Sequence, residues 1–145
     1  MPEIHTRKLG TVRYEETSVI TFPAGLPGFP TRTRFLLIER DAFAPIVFLH
    51  GAEAPELCFC AAPVAAVDPD YQLAMTEEDE RLLRAAGTPP CLAILAILAP
   101  TPSGGWTANL LAPVVIDLKS RRGVQAVRSD ARYSHQHPVG AATCS

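Results

Sequence analysis

The apolar positions of this chain fall in short runs, each cut off by proline, glycine or charge before a long helix could form. Residues 3–14 alternate loosely and break at Leu9-Gly10, which predicts an opening hairpin. Ser18-Val19-Ile20-Thr21-Phe22 predicts a strand that Pro23 stops. Phe35-Leu36-Leu37-Ile38, Ile46-Val47-Phe48-Leu49 and residues 57–62 are continuous apolar runs of strand length. Residues 64–67 continue beyond Pro63, and residues 71–75 read as a further strand. One helix is predicted, at about 76–86. Thr76 is its N-cap, acids fill its first turn, Leu82, Leu83 and Ala86 share a face, and Gly87 stops it. Asp79 stands where a full capping box has Glu. Pro89-Pro90 then force an extended restart through residues 91–98. A Pro- and Gly-rich loop at 100–105 precedes residues 106–127, where two apolar runs flank the basic turn Lys119-Ser120-Arg121-Arg122-Gly123.

Eight or nine short strands with frequent turn signals predict a mainly β fold, a compact antiparallel barrel or sandwich. The expected form is a compact antiparallel β-barrel-like single domain over residues 1–140, with one short helix and a disordered tail at 141–145. Fourteen prolines, about twice the average usage, favour short strands over long helices. The 48% apolar and 19% charged fractions are those of a folded protein. No long-period repeat and no linker divides the chain.

Charge changes the picture more than composition does. Residues 41–80 carry nine acids and no Lys or Arg, whereas residues 1–40 carry six bases against four acids and residues 81–145 seven against two. Such a stretch repels phosphate, since nucleic-acid binding rests on Lys and Arg neutralising the backbone. It steers a basic protein partner instead. Glu77–Glu80 alone is explained by acids at the positive end of a helix. Direct nucleic-acid binding is therefore not expected. The bases Lys119, Arg121 and Arg122 are too few for the alternative, a small RNA-binding β-barrel module.

Catalytic chemistry needs a nucleophile beside a base, paired carboxylates or a metal cluster, and no such pattern is written here. There is no P-loop, and Ser103-Gly104-Gly105 opens a strand rather than a helix. Asp68-Pro69-Asp70 reads as a turn, and His50 as a hydrogen-bonded structural residue. His135-x-His137 with Cys144 is poor metal geometry in a polar tail. Cys58-x-Cys60 puts both thiols on one strand face, too strained to bond, so reduced thiols are expected. Neither a metal nor a cofactor is expected, nor an enzyme; a hydrolase-like barrel is the discarded rival. The longest apolar run, 91–99, is far short of the roughly 20 residues that span a membrane. The N-terminus lacks an apolar secretory core, so the expected location is the cytoplasm.

Three stretches resemble the FliW family over roughly residues 12–139. They are Phe22-Pro23-Ala24-Gly25-Leu26-Pro27-Gly28-Phe29, then Thr107-Ala108-Asn109-Leu110-Leu111-Ala112-Pro113-Val114-Val115-Ile116, and then Tyr133-Ser134 with His137-Pro138. On physical grounds Pro27-Gly28 suits a type II turn, Leu26 and Phe29 must be buried somewhere, and Asn109 must find partners. Gln136, where the family more often has a base, and the Ala-rich 63–67 stretch depart from the pattern. The resemblance implies a non-catalytic β-barrel-like protein of bacterial flagellum biogenesis. It would bind flagellin in the cytoplasm and, when released, bind the translational regulator CsrA and relieve repression of flagellin mRNA. The expected partner surface comprises Glu53, Glu56, Asp68, Asp70, Glu77 and Glu78, with Leu26, Phe29 and Asn109. On its own the protein is expected to be monomeric.

Overall fold

A computed structural model describes residues 2–26, 28–83 and 91–139. Its strands are β1 (Glu3–Thr6), β2 (Gly10–Arg13), β3 (Ile20–Thr21), β4 (Arg34–Glu39), β5 (Val47–Gly51), β6 (Cys58–Pro63), β7 (Leu92–Pro100), β8 (Trp106–Ala108), β9 (Val114–Asp117), β10 (Arg122–Gln125) and β11 (His137–Val139). Two helices, α1 (Val64–Val67) and α2 (Glu77–Leu83), lie between β6 and β7. Neighbouring strands run β7-β6-β5-β4-β3-β10-β9, and β9 returns to β7, closing a seven-stranded barrel. All of these pairs are antiparallel except β10 with β3. Of the barrel and the sandwich that the strand pattern allows, the barrel is observed, with one parallel pair among its antiparallel ones.

Alternation along the strands fills the barrel. Ile20, Phe22, Leu26, Phe35, Leu49, Ala61, Val114 and Ile116 form its buried interior, with Phe22 edge-on to Phe35 at 5.4 Å between centroids. Each large apolar side chain there contributes roughly 1.5–3 kcal/mol. Three layers cover the outside. The β1–β2 hairpin presses Ile4 and Val12 onto Leu36, Ile38 and Phe48 of β4 and β5. Helix α1 and residues 106–110 cover β6 and β7 through Val64, Ala96, Leu98 and Leu110. Helix α2 sets Leu83 against Val115 and Val124.

Three local expectations change. The strand expected over 18–22 shrinks to β3, because residues 16–18 form a 3₁₀ turn. Residues 64–67 coil into α1, with Asp68 N–H donating to Val64 O at 2.8 Å. Residues 71–75 alternate in burial as a strand would, yet join no ladder. Their backbone is claimed by a side chain, since Gln72 N–H donates to the Tyr133 hydroxyl at 3.0 Å. Near the end of the described residues, β11 pairs with β8 and extends the sheet. The helix expected at 76–86 is described through Leu83; Ala86, Gly87 and the 141–145 tail, with Cys144, lie outside the described residues. No described helix is long and apolar enough to cross a membrane.

Candidate functional site

Residues 24–30 connect β3 to β4 through a tight reversal. Phe29 N–H donates to Leu26 O at 2.7 Å, and Gly28 has φ +86°, the left-handed value a type II turn needs at that position. Gly25 has φ +67°, and a Cβ there would lie 2.6 Å from Phe29 O and from Pro30 Cα. Only glycine fits. The reversal drives Leu26 into the barrel interior, leaving it 2% exposed. Phe29 stays 40% exposed, its ring edge-on to Phe59 at 6.0 Å. Of the two apolar residues flanking the turn, one anchors it and the other is presented to solvent.

Helix α2 lies across from this turn, held there by Leu83 packing on Val115 and Val124, and its start is capped. Asp79 N–H donates to Thr76 Oγ1 at 3.1 Å, and Thr76 N–H donates back to an Asp79 carboxylate oxygen at 3.3 Å. Asp therefore completes the reciprocal box for which the sequence lacks a Glu. Beyond α2, Asp117 holds the turn that receives it. Its Oδ1 accepts from Lys119 N–H at 3.0 Å and Cys91 N–H at 3.3 Å, while the Ser120 hydroxyl donates to Leu83 O at 2.7 Å. Burial pushes the Asp117 carboxyl up, but the N–H donors of Lys119, Cys91 and Ser120 outweigh it and hold it below the usual carboxylate range. Between turn and helix lies a groove of about 350 Å³, walled by Gly25, Leu26 and Pro30 on one side and by Glu78, Asp79 and Leu82 on the other.

That groove brings together two residues singled out from sequence, Leu26 and Glu78, and Glu77 precedes Glu78 on the same helix. Asp68 and Asp70 share the turn after α1, where Asp70 N–H donates to Asp68 Oδ1 at 3.0 Å. Glu53 and Glu56 lie elsewhere, in the β5–β6 connection. Arg34 pairs with both Glu53 and Glu16, so the Glu53 charge is already answered. Glu56 borders a different groove, beneath the β1–β2 hairpin, whose rim also carries Arg7 and Lys8. Asn109 is committed to its own chain: its Oδ1 accepts from Leu111 N–H at 3.1 Å and Ala112 N–H at 3.0 Å, bending the backbone into Pro113.

Two constellations escape a reading of the sequence. Arg128, 8% exposed, pairs with Asp130 at 2.9 Å and stacks over Tyr133 at 4.8 Å, while Tyr133 packs on Tyr71 at 4.4 Å. The Asp130 carboxylate keeps that guanidinium firmly charged, and Arg128 in turn holds Asp130 below the usual range. Burial pushes the Tyr71 phenol up. This stack ties residues 128–133 to residues 71–72. The other constellation is the hairpin groove. Its only signal in the sequence is Cys58-x-Cys60, whose thiols are free and both line it. Among the described residues no three of His, Cys, Asp or Glu could together hold a metal ion.

The chain is similar to known proteins over nearly its whole length. A family model described as FliW protein matches residues 3–139. A flagellar assembly factor FliW of Syntrophomonas wolfei is 33% identical over 131 residues, which cover 90% of this chain and 84% of that protein. The flagellar assembly factor FliW of Bacillus subtilis is 27% identical over 141 residues, covering 97% and 99%. A crystal structure of the flagellar assembly factor FliW superposes with a TM-score of 0.83 at 27% identity, covering 94% of this chain and 95% of that one.

Proposed function

The chain belongs to the FliW family of flagellar assembly factors, and from that premise we propose that it works in the cytoplasm by docking alone, catalysing nothing. Its partners in this reading are flagellin and, once flagellin has left, the translational regulator CsrA, whose repression of flagellin mRNA it relieves. The observation that carries the reading is the groove between the 24–30 turn and α2. An acid-walled cleft with an apolar floor and a presented aromatic suits a cationic, partly apolar protein surface. Glu77 and Glu78 serve as its steering charges, with Phe29 on the adjoining turn as the contact that excludes water, while Asp68 and Asp70 add to the negative field from the turn after α1. Glu53 contributes less because Arg34 already answers it. Beside an RNA-binding protein, such a field raises the free energy of bringing phosphate near.

Size-exclusion chromatography of the purified protein with CsrA, with flagellin, and with both tests this directly. Two separate binary complexes are expected, with flagellin displacing CsrA when all three are mixed. Absence of any CsrA complex, or an unchanged CsrA affinity after reversing Glu77 and Glu78, overturns the reading. A gel shift of this protein alone with flagellin mRNA distinguishes the rival RNA-binding module, which would retard the RNA without CsrA.

A further inference from the structure

The groove under the β1–β2 hairpin is built differently from the acidic one, and it holds an unanswered polar group. His50, on β5, is 4% exposed. Its Nδ1–H donates to Pro55 O at 2.8 Å, which leaves the Nε2 of the neutral ring as a bare acceptor. Nε2 is buried and has no hydrogen-bond partner. A buried acceptor left unpaired costs roughly 1–3 kcal/mol, so native structures rarely keep one without reason. The ring lines a cavity of about 650 Å³ whose floor includes Phe48, Cys58 and Cys60.

The rim of this cavity is cationic by construction. The hairpin loop is clamped by the Thr6 hydroxyl, which donates to Gly10 O and accepts from Leu9 N–H, both at 2.9 Å. Arg7 and Lys8 are therefore held at the tip. Lys8 Nζ sits 5.6 Å from the centroid of Phe48, over the groove floor. Glu56 is the one carboxylate in the lining. The Cys58 thiol, pushed up to about 11 by partial desolvation and by Cys60 against the pull of Lys8, stays protonated and serves only as apolar wall.

We infer that the hairpin groove is a second docking site, opposite in sign to the first, which takes an acidic, apolar-alternating peptide segment of a protein partner. A backbone N–H of the segment supplies the donor that His50 Nε2 lacks. Its apolar side chains cover the thiols of Cys58 and Cys60, and its carboxylates meet Arg7 and Lys8. Charge complementarity selects this occupant over a basic one. This site is independent of the acidic groove, so the two readings fail separately.

The probe is a fluorescein-labelled peptide of alternating leucine and aspartate, titrated by anisotropy into the full chain, with a leucine–lysine peptide as counterpart. Saturable binding of the acidic peptide alone is expected. The exposed double variant R7E/K8E should weaken it at least tenfold without disturbing the fold, and E77K/E78K should leave it unchanged. N-methylating the peptide backbone should cost the wild type about fivefold and the His50→Phe variant nothing further. No binding at about 1 mM, equal binding of the lysine peptide, or indifference to R7E/K8E overturns the inference. So does concentration-dependent self-association abolished by R7E/K8E, which would make the acidic α2 of a second copy the occupant.

Discussion

The two grooves of this small barrel are built from opposite materials. The one between the 24–30 turn and α2 is walled by Glu78 and Asp79, and the one under the hairpin by Arg7 and Lys8. Each leans on a buried polar residue, but the two are treated differently. Asp117, beside α2, has its carboxylate answered by backbone donors. His50 is answered at one nitrogen and bare at the other. A fully satisfied group holds its surroundings in one arrangement, whereas a buried group without a partner is costly to keep. The two grooves thus differ in the sign of their walls and in how these two anchors are held, while Gln125, in the lining of the acidic groove, also keeps a buried oxygen unpaired.

The largest break in that comparison comes from the acidic groove's turn. Gly25→Ala should destabilise the protein by about 3 kcal/mol, because left-handed backbone and a clash with Phe29 and Pro30 act together. Gly28→Ala, equally left-handed but with open space around it, should cost only about 1 kcal/mol. Urea midpoints with unchanged slopes check this. Equal costs would mean that packing against residues 29–30 does not set the groove.

Next comes the satisfied anchor. Asp117→Asn should cost about 2 kcal/mol at neutral pH, since charged hydrogen bonds from several backbone donors are weakened together. Because the folded carboxyl titrates below its ordinary 3.8, its stabilisation is complete above that value and is lost as pH falls through the lower folded value. Asp130 shares this sign. Wild type should therefore lose stability below pH 3.8 more steeply than the Asn variant. A parallel pH dependence would show that Asp117 is not held low.

How far these regions could be read from sequence follows from the range of the contacts that make them. The acidic groove rests on local chemistry: Gly at left-handed turn positions, Thr76 before a run of acids, and an apolar residue on each side of the turn. Each of these is visible within a few positions, and the short apolar runs narrow the fold to a β-barrel or a sandwich. The hairpin groove rests on register. Arg7 meets His50 and Cys58 only because the hairpin packs across β4 and β5 and His50 sits opposite Cys58 in the ladder. Nothing near His50 in the chain announces that. The 71–75 segment misled for a related reason, since its alternation is real but Tyr133, sixty-one residues on, takes the Gln72 N–H. Arg34 hid in the same way: the acid count from 41 to 80 is unbalanced in sequence, yet Glu53 is neutralised from a strand before it.

The comparison sharpens in binding. Reversing the helix charges with E77K/E78K should weaken CsrA association about tenfold, or ~1.4 kcal/mol, mainly through the on-rate, and should flatten its salt dependence. Surface plasmon resonance at several ionic strengths reads both. A loss confined to the off-rate would place these acids in a desolvated contact rather than in a steering field.

The smallest expected effect concerns how α2 is held against the groove. Thr76→Ala removes the acceptor of Asp79 N–H and should cost about 1 kcal/mol. Asp79→Ala removes the return bond to Thr76 N–H and should cost somewhat less, because that bond is longer at 3.3 Å. The two bonds close one ring, so the double variant should cost less than the two single costs added together. Asp79→Asn separates the remaining contributions, since it keeps an acceptor but loses the negative charge at the helix start. If that variant matches Asp79→Ala in a thermal melt, the helix dipole and not the box holds α2. If it matches wild type, the hydrogen bond does, and Asp is a sufficient third residue for a capping box here.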